Sequence, residues 1–300
     1  MARNDYDAFT SEYYTQYNST ISSGETRIPI CFCIDISTSM RFITNRDSDF
    51  TYDDTPAYTT DGSDNVRNIT MLPGKQPHRR IDEVKRVLKI MLHRMRQIPI
   101  LNNSAVISVI TFSRFADCVV EFSELRNISD KIIDDIKTDA DQTNAAKGIN
   151  MTLERLDSIS RIIRDAGNES YKPVFIFMSD GNPTDGEQAK RAGYELRQRA
   201  EDGKLNVIPI AIGGGLDERW IRQMSKDSRV YHMEHEEEFD EVFKTITSRI
   251  SRTATVISVD ETLISDMDYE NYEDDVASSQ YGSKVSNEEI VDFLSALGDL

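Results

Sequence analysis

The chain has 300 residues, 38% of them hydrophobic, with 52 acidic against 35 basic side chains for a net charge of −17. That is enough apolar material for one α/β domain with tails, and the acidic balance, with no basic patch to offset it, argues against nucleic acid or an anionic membrane surface as a partner. No apolar run nears the roughly 20 residues of a membrane-spanning helix, and the opening MARNDYDAFTSEYY has no basic then apolar leader, so the chain reads as cytoplasmic.

Residues 1–26 are polar and aperiodic, a flexible N-terminal arm. A domain over 27–256 then opens on IPICFCI, an apolar run of the kind a central parallel strand shows when both of its faces are buried, and it stops at Asp35. Cys31 and Cys33 alternate along that run and Cys118 sits in another, which makes the three cysteines small core hydrophobes of a reducing compartment. An insertion at 41–80, polar and dotted with Asp, Thr, Gly and Pro, is long for a connection inside a domain and reads as a functional lid or a disordered insert.

Order returns at Ile81–Ile98, where apolar residues at three- and four-residue steps predict an amphipathic helix with Pro99 as its stop. AVISVITF at 105–112 and ADCVVEF at 116–122 form a strand pair, the second an antiparallel edge. A long helix spans Thr143 to about Ala166 with Gly167 as its C-terminal cap, and VFIFM at 174–178 is a second buried strand ending at Ser179 and Asp180. A helix at 187–199, a strand at 207–212 weakened by Pro209, a short helix near 216–224, a short strand at 230–233 and a closing helix at 237–250 complete the domain. The alternation predicts an α/β fold: a doubly wound, mostly parallel sheet with one antiparallel edge strand and helices on both faces.

The last segment, 257–300, is an acidic tail. Residues 260–300 hold twelve acids against the single base Lys284, so most of the net charge lies there. The tail ends in a short amphipathic helix in which Ser286 and Glu289 have capping-box spacing, and Ile290, Phe293, Leu294 and Leu297 line one face as a candidate partner-docking stripe.

Three separated pieces carry the chemistry: Asp35-Ile-Ser37-Thr-Ser39 after the first strand, Thr143 at the start of the long helix, and Asp180-Gly181 after the second apolar strand. In a parallel sheet both strands deliver these residues to the carboxyl edge, where a crevice opens at the topological switch point. Two carboxylates facing one another there repel, by about 4 kcal/mol at 4 Å and an effective dielectric near 20. A divalent cation removes that repulsion, and carboxylate plus hydroxyl oxygens suit Mg²⁺, with Mn²⁺ and Ca²⁺ as alternatives. Uncharged Ser and Thr ligands leave the ion electron-poor and able to attract a carboxylate from a protein partner.

The ordered trio DxSxS, Thr, Asp resembles the metal-ion-dependent adhesion site of von Willebrand factor A (VWA) domains. Over about Pro29 to Ala254, through PICFCIDISTSM, SVITFS, TNAAKGINMTLERLD and PVFIFMSDGNPTDG, the chain resembles the bacterial TerY-like, tellurium-resistance associated branch. The resemblance implies Asp35, Ser37, Ser39, Thr143 and Asp180 as metal-site residues, with Thr184 and Asp185 structuring the loop. Thr38 stands where many relatives have glycine, Asp141-Gln142 replaces glycines that often precede the threonine, and the insertion could offer Asp47, Asp53 or Asp54 as an internal ligand.

The expected function is a non-enzymatic, metal-dependent protein-interaction module of a bacterial cytoplasmic stress-response or phospho-signalling system. The resemblance adds a protein kinase and a metal-dependent protein phosphatase to its expected partners. The rival is a Mg²⁺-dependent phosphohydrolase acting through the strand-end aspartates, weakened because Ser37 stands where such enzymes carry the second acid of a DxD pair.

Overall fold

The computed structural model describes residues 26–42, 50–57, 66–71, 79–139, 141–213 and 218–233, with backbone alone at 50–57, 66–71 and 218. Strand β1 (Thr26–Asp35) lies at the centre of the main sheet, parallel to β4 (Ala105–Phe112) on one side and to β7 (Val174–Ser179) on the other. Beyond β7 come β8 (Asn206–Ile212) and β9 (Tyr231–Met233), both parallel. β5 (Ala116–Glu124) closes the opposite edge antiparallel to β4, giving the order β5-β4-β1-β7-β8-β9. A two-residue strand, β6 (Glu169–Ser170), pairs with the start of β1.

The apolar run of β1 is continuous because each of its faces lies in a separate core. Ile28, Ile30, Phe32 and Ile34 pack with α1 (Arg80–Gln97), whose Val84, Leu88, Met91 and Met95 are fully buried. Beyond the short α3 (Asp130–Asp134) in sequence lie α4 (Ala145–Asp165) and α5 (Glu187–Glu201), which build the other layer, into which Cys31 and Cys33 point. All three cysteines are free, and burial pushes the Cys118 thiol up to about 12. Burying a Leu, Ile, Met or Phe side chain contributes about 1.5–3 kcal/mol, so these two layers supply most of the apolar driving force.

α4 comes close to the sheet at Gly148, where a Cβ would stand 2.8 Å from Phe112 Cδ1 and 2.9 Å from Cys33 Sγ. It ends as expected at Gly167, whose φ of +75° suits the residue that follows a helix. Trp220, in the short helix α6 (Glu218–Arg222), is buried edge-on against Phe177, with ring centroids 5.5 Å apart.

Three details go beyond the sequence reading. The insertion contains a two-stranded antiparallel ribbon, β2 (Phe50–Ala57) with β3 (Val66–Met71), outside the main sheet. Pro99 both ends α1 and opens the next helix, α2 (Pro99–Ser104), where proline's missing N–H is no loss at the first turn. Pro209 is accommodated in β8 because β9 pairs only with Ile210–Ile212, leaving the proline beside β7 alone.

β5 carries register breaks between Ile107 and Val109 and between Val109 and Ile110 of its partner strand, and Asp117 and Val119 along it are exposed. The expected closing helix at 237–250 and the tail at 257–300, with Ile290, Phe293, Leu294 and Leu297, lie outside the described residues. Among the described residues no helix is long and apolar enough to cross a membrane.

Candidate metal centre

The chain leaves β1 for β4 on one side and returns for β7 on the other, so the carboxyl end of β1 is the switch point of the sheet. Asp35 is its last residue and is fully buried. One carboxylate oxygen, Oδ1, accepts from the Ser37 backbone N–H at 2.8 Å, and the other, Oδ2, accepts from Ser179 Oγ at 2.6 Å. Burial pushes the Asp35 carboxyl up to about 6, with the Asp180 charge adding to the rise against the lowering effect of the Ser179 and Ser37 hydrogen bonds.

The backbone then makes a one-turn 3-10 helix, Thr38–Arg41, that folds Ser37 and Ser39 back over the strand end. Their hydroxyls lie 3.1 Å apart, and Ser39 Oγ donates to Asp180 Oδ1 at 2.7 Å. Asp180 follows β7 directly, and Gly181 leaves room beside it: a Cβ there would sit 3.8 Å from Ser39 Oγ. Asp35, Ser37, Ser39 and Asp180 form one hydrogen-bonded chain in that order, and Ser179, 144 residues from Asp35 in sequence, donates to Asp35 at its end.

Thr143 is buried on the same edge. Thr184 holds its backbone on both sides, accepting from Thr143 N–H through Oγ1 at 3.0 Å and donating its own N–H to the Thr143 carbonyl at 2.9 Å. Asp185 Oδ2 accepts from Ala146 N–H at 2.8 Å, capping the first turn of α4. Thr184 and Asp185 thus hold the loop to the helix. The departures at Thr38 and Asp141 are partners: Thr38 Oγ1 donates to Asp141 Oδ1 at 2.5 Å and so ties the first motif to the loop before Thr143.

Two participants carried no signal in the sequence reading. Ser179 reads in the sequence only as a strand end. Arg80, the first residue of α1, donates from Nη1 to Asp180 Oδ2 at 2.7 Å, with only 16% of its side chain exposed. An arginine at a helix start reads as a solvated charge, and nothing in its spacing points to a carboxylate 100 residues away.

The donor set consists of oxygens from two buried carboxylates and small hydroxyls, which suits a hard divalent cation. The fit at Asp35 is to a carboxylate that no basic side chain meets in its hydrogen bonds, although both of its oxygens already accept, from Ser37 and Ser179. At Asp180 it is partial, since Arg80 already shares that carboxylate. Among the described residues there is no cluster of three or more His, Cys, Asp or Glu that could hold a metal ion. The side chains of Asp47, Asp53 and Asp54, and the run from Glu234 to Glu238 with His235, lie outside the described residues.

Residues 60–249 match the von Willebrand factor type A domain family, and the chain belongs to that family. Thr143 and Asp180 fall inside the matched span, whereas Asp35, Ser37 and Ser39 precede it and take their places from the register of β1. Among solved structures, the D319A mutant of the PilB minor pilin from Streptococcus sanguinis is similar, with 14% identity and a TM-score of 0.52, covering 79% of this chain and 64% of that one. Proximal thread matrix protein 1 of the mussel byssus gives 16% identity and a TM-score of 0.49 over 75% of this chain and 48% of that one. A form of the same protein described as having a zinc occupied MIDAS motif gives 17% identity and a TM-score of 0.48, covering 78% of this chain and 49% of that one. The chain thus spans about half the length of the mussel protein. No curated protein matches the sequence.

Proposed function

We propose that Asp35, Ser37, Ser39, Thr143 and Asp180 hold one divalent metal, Mg²⁺ in the cell, and that the protein uses it to bind a carboxylate of a partner protein. The observation that carries the reading is the linkage of both strand-end aspartates to Ser37 and Ser39 through short hydrogen bonds at the switch point of the sheet. Bound there, the metal would supply a positive centre and open coordination positions for an outside oxygen. The chain's part is to aim the hydroxyls, exclude bulk water from Asp35 and present the rim. A zinc-occupied motif of this kind is described for a mussel protein of similar fold.

The rim suits a protein partner. Phe42 and Phe115 are 59% and 61% exposed, one following the first motif and the other in the β4–β5 turn. Each ring faces a cation, Arg80 at 5.5 Å and Lys147 at 4.9 Å. Exposed aromatics beside positive charge are the usual anchors of an interface with an acidic segment.

The protein is read as non-enzymatic. A phosphohydrolase needs an aspartate free to attack, and both oxygens of Asp35 are engaged by Ser37 and Ser179 while both of Asp180 are engaged by Ser39 and Arg80. The TerY-like branch, a cytoplasmic stress system, and a kinase and phosphatase as partners belong to this proposal on the strength of the motif resemblance alone.

The test is calorimetric titration of Mg²⁺ and Mn²⁺ into the full chain and into Ser37→Ala/Ser39→Ala, with circular dichroism as the folding check. One metal bound by the wild type and none by the folded variant is expected. Equal binding by both would remove the site from the function.

A further inference from the structure

Asp180 is shared between two donors of the chain. Its Oδ1 accepts from Ser39 Oγ and its Oδ2 from Arg80 Nη1, both at 2.7 Å. One of the two carboxylates of the cluster therefore already carries a cation supplied by the protein.

That cation is held in place from three sides. The Arg80 backbone N–H donates to the Phe42 carbonyl at 3.0 Å, which fixes the start of α1 against the end of the first motif. The Phe42 ring lies 5.5 Å from the guanidinium carbon. Gly213, with φ at +72°, presses from another side, so closely that a Cβ there would stand 2.6 Å from Nε and 2.9 Å from Cζ. Nε itself is buried and has no hydrogen-bond partner. A buried donor left unmatched costs free energy, so this placement is dictated by the contact with Asp180.

We propose that Arg80 is a tethered cation that competes with the divalent metal for Asp180, holding metal affinity down until an outside carboxylate joins. The proposal rests on the metal reading of the site. Two aspartates and one arginine leave a single net negative charge, which a dication overshoots. The partner's carboxylate supplies the missing negative charge, so metal and partner load together and metal alone loads poorly. Without Arg80, the two aspartates would neutralise the dication by themselves. The bonded charge cannot swing away to make room, because Phe42 and Gly213 confine it.

The test titrates Mn²⁺ alone into the full-length wild type, Arg80→Gln and Arg80→Lys at neutral pH, followed by calorimetry and electron paramagnetic resonance. Arg80→Gln keeps a donor for Asp180 without the charge, and it should bind Mn²⁺ at least about tenfold more tightly than wild type, as removal of a nearby like charge demands. Arg80→Lys restores the charge and should bring the affinity back toward wild type, an outcome a purely structural role would not produce. Arg80→Met removes the charge at similar side-chain length and is judged by the same criterion if the glutamine variant does not fold.

Equal or weaker binding by the folded charge-removed variant overturns the proposal and leaves the metal reading standing. Tight binding by that variant with none by wild type supports the tethered cation, with the wild-type site loading only when an outside carboxylate is present. Absence of binding by every variant overturns both.

Discussion

Ser179 Oγ lies 2.6 Å from Asp35 Oδ2, so the last residue of β7 donates to the last residue of β1. The two strands that frame the candidate centre are thereby latched at their carboxyl ends. Ser179→Ala would leave a carboxylate oxygen unmatched at a position with no solvent exposure. It should cost about 1–3 kcal/mol of stability, read by urea unfolding with chelator present. A loss under 0.5 kcal/mol would show that the latch contributes nothing.

Thr38 and Asp141 should be energetically coupled, because their 2.5 Å hydrogen bond joins the first motif to the loop before Thr143. A double-mutant cycle with Thr38→Val and Asp141→Asn is expected to give a coupling of about 0.5–1.5 kcal/mol. Additive effects would mean that the two departures from glycine are independent.

Gly213→Ala should destabilise by about 2–4 kcal/mol, combining left-handed strain with the clash against Arg80. In an Arg80→Gln background part of that loss should disappear while the cost of the positive φ remains. Thermal unfolding of the four proteins in the cycle reads this directly, and an undiminished loss in the double variant would place the strain elsewhere.

Phe42→Ser and Phe115→Ser should each weaken capture of the metal-dependent partner by about tenfold or more, as truncation of interface anchors does, and Phe115→Ser, which does not touch Arg80, should leave Mn²⁺ binding within about twofold of wild type. Pull-down from native-host lysate with Mg²⁺ and with chelator provides the comparison. Unchanged capture by both variants would move the docking surface away from this rim.

Gly148→Ala should cost about 1–3 kcal/mol although alanine favours helices, since its methyl would stand 2.8 Å from Phe112 Cδ1 and 2.9 Å from Cys33 Sγ. A stabilised variant would mean that α4 rides higher on the sheet than these distances allow.

How much was legible beforehand follows from where the information resides. β1, β4, β7 and the long helices are local: their apolar period or continuity follows directly from burial on one face or two. The convergence of Asp35, Ser37, Ser39 and Asp180 was also legible, because parallel strands place their carboxyl ends on one edge. Arg80 was not, since its partner lies 100 residues away and only the packed fold joins them.

The β2–β3 ribbon was hidden for a different reason. FTYDDTPA carries two acids and a proline, residues that propensity assigns away from strands, and the pairing with Val66–Met71 outweighs that preference. Gly148 is a third case: as a residue in mid-helix it looks like a weakness, and only the distance to Cys33 and Phe112 gives it a purpose.

The β5 edge has a consequence for how copies of the chain meet. A row of open backbone groups normally invites another strand, and with it fibre growth. Here the row is kinked by two register breaks next to one another, and the exposed Asp117 stands along it in a chain of strong net negative charge, while Glu121 is paired with Arg155. A second copy offering the same strand would meet like charge against like charge on a bent template. Sheet-to-sheet polymerisation is disfavoured at that edge.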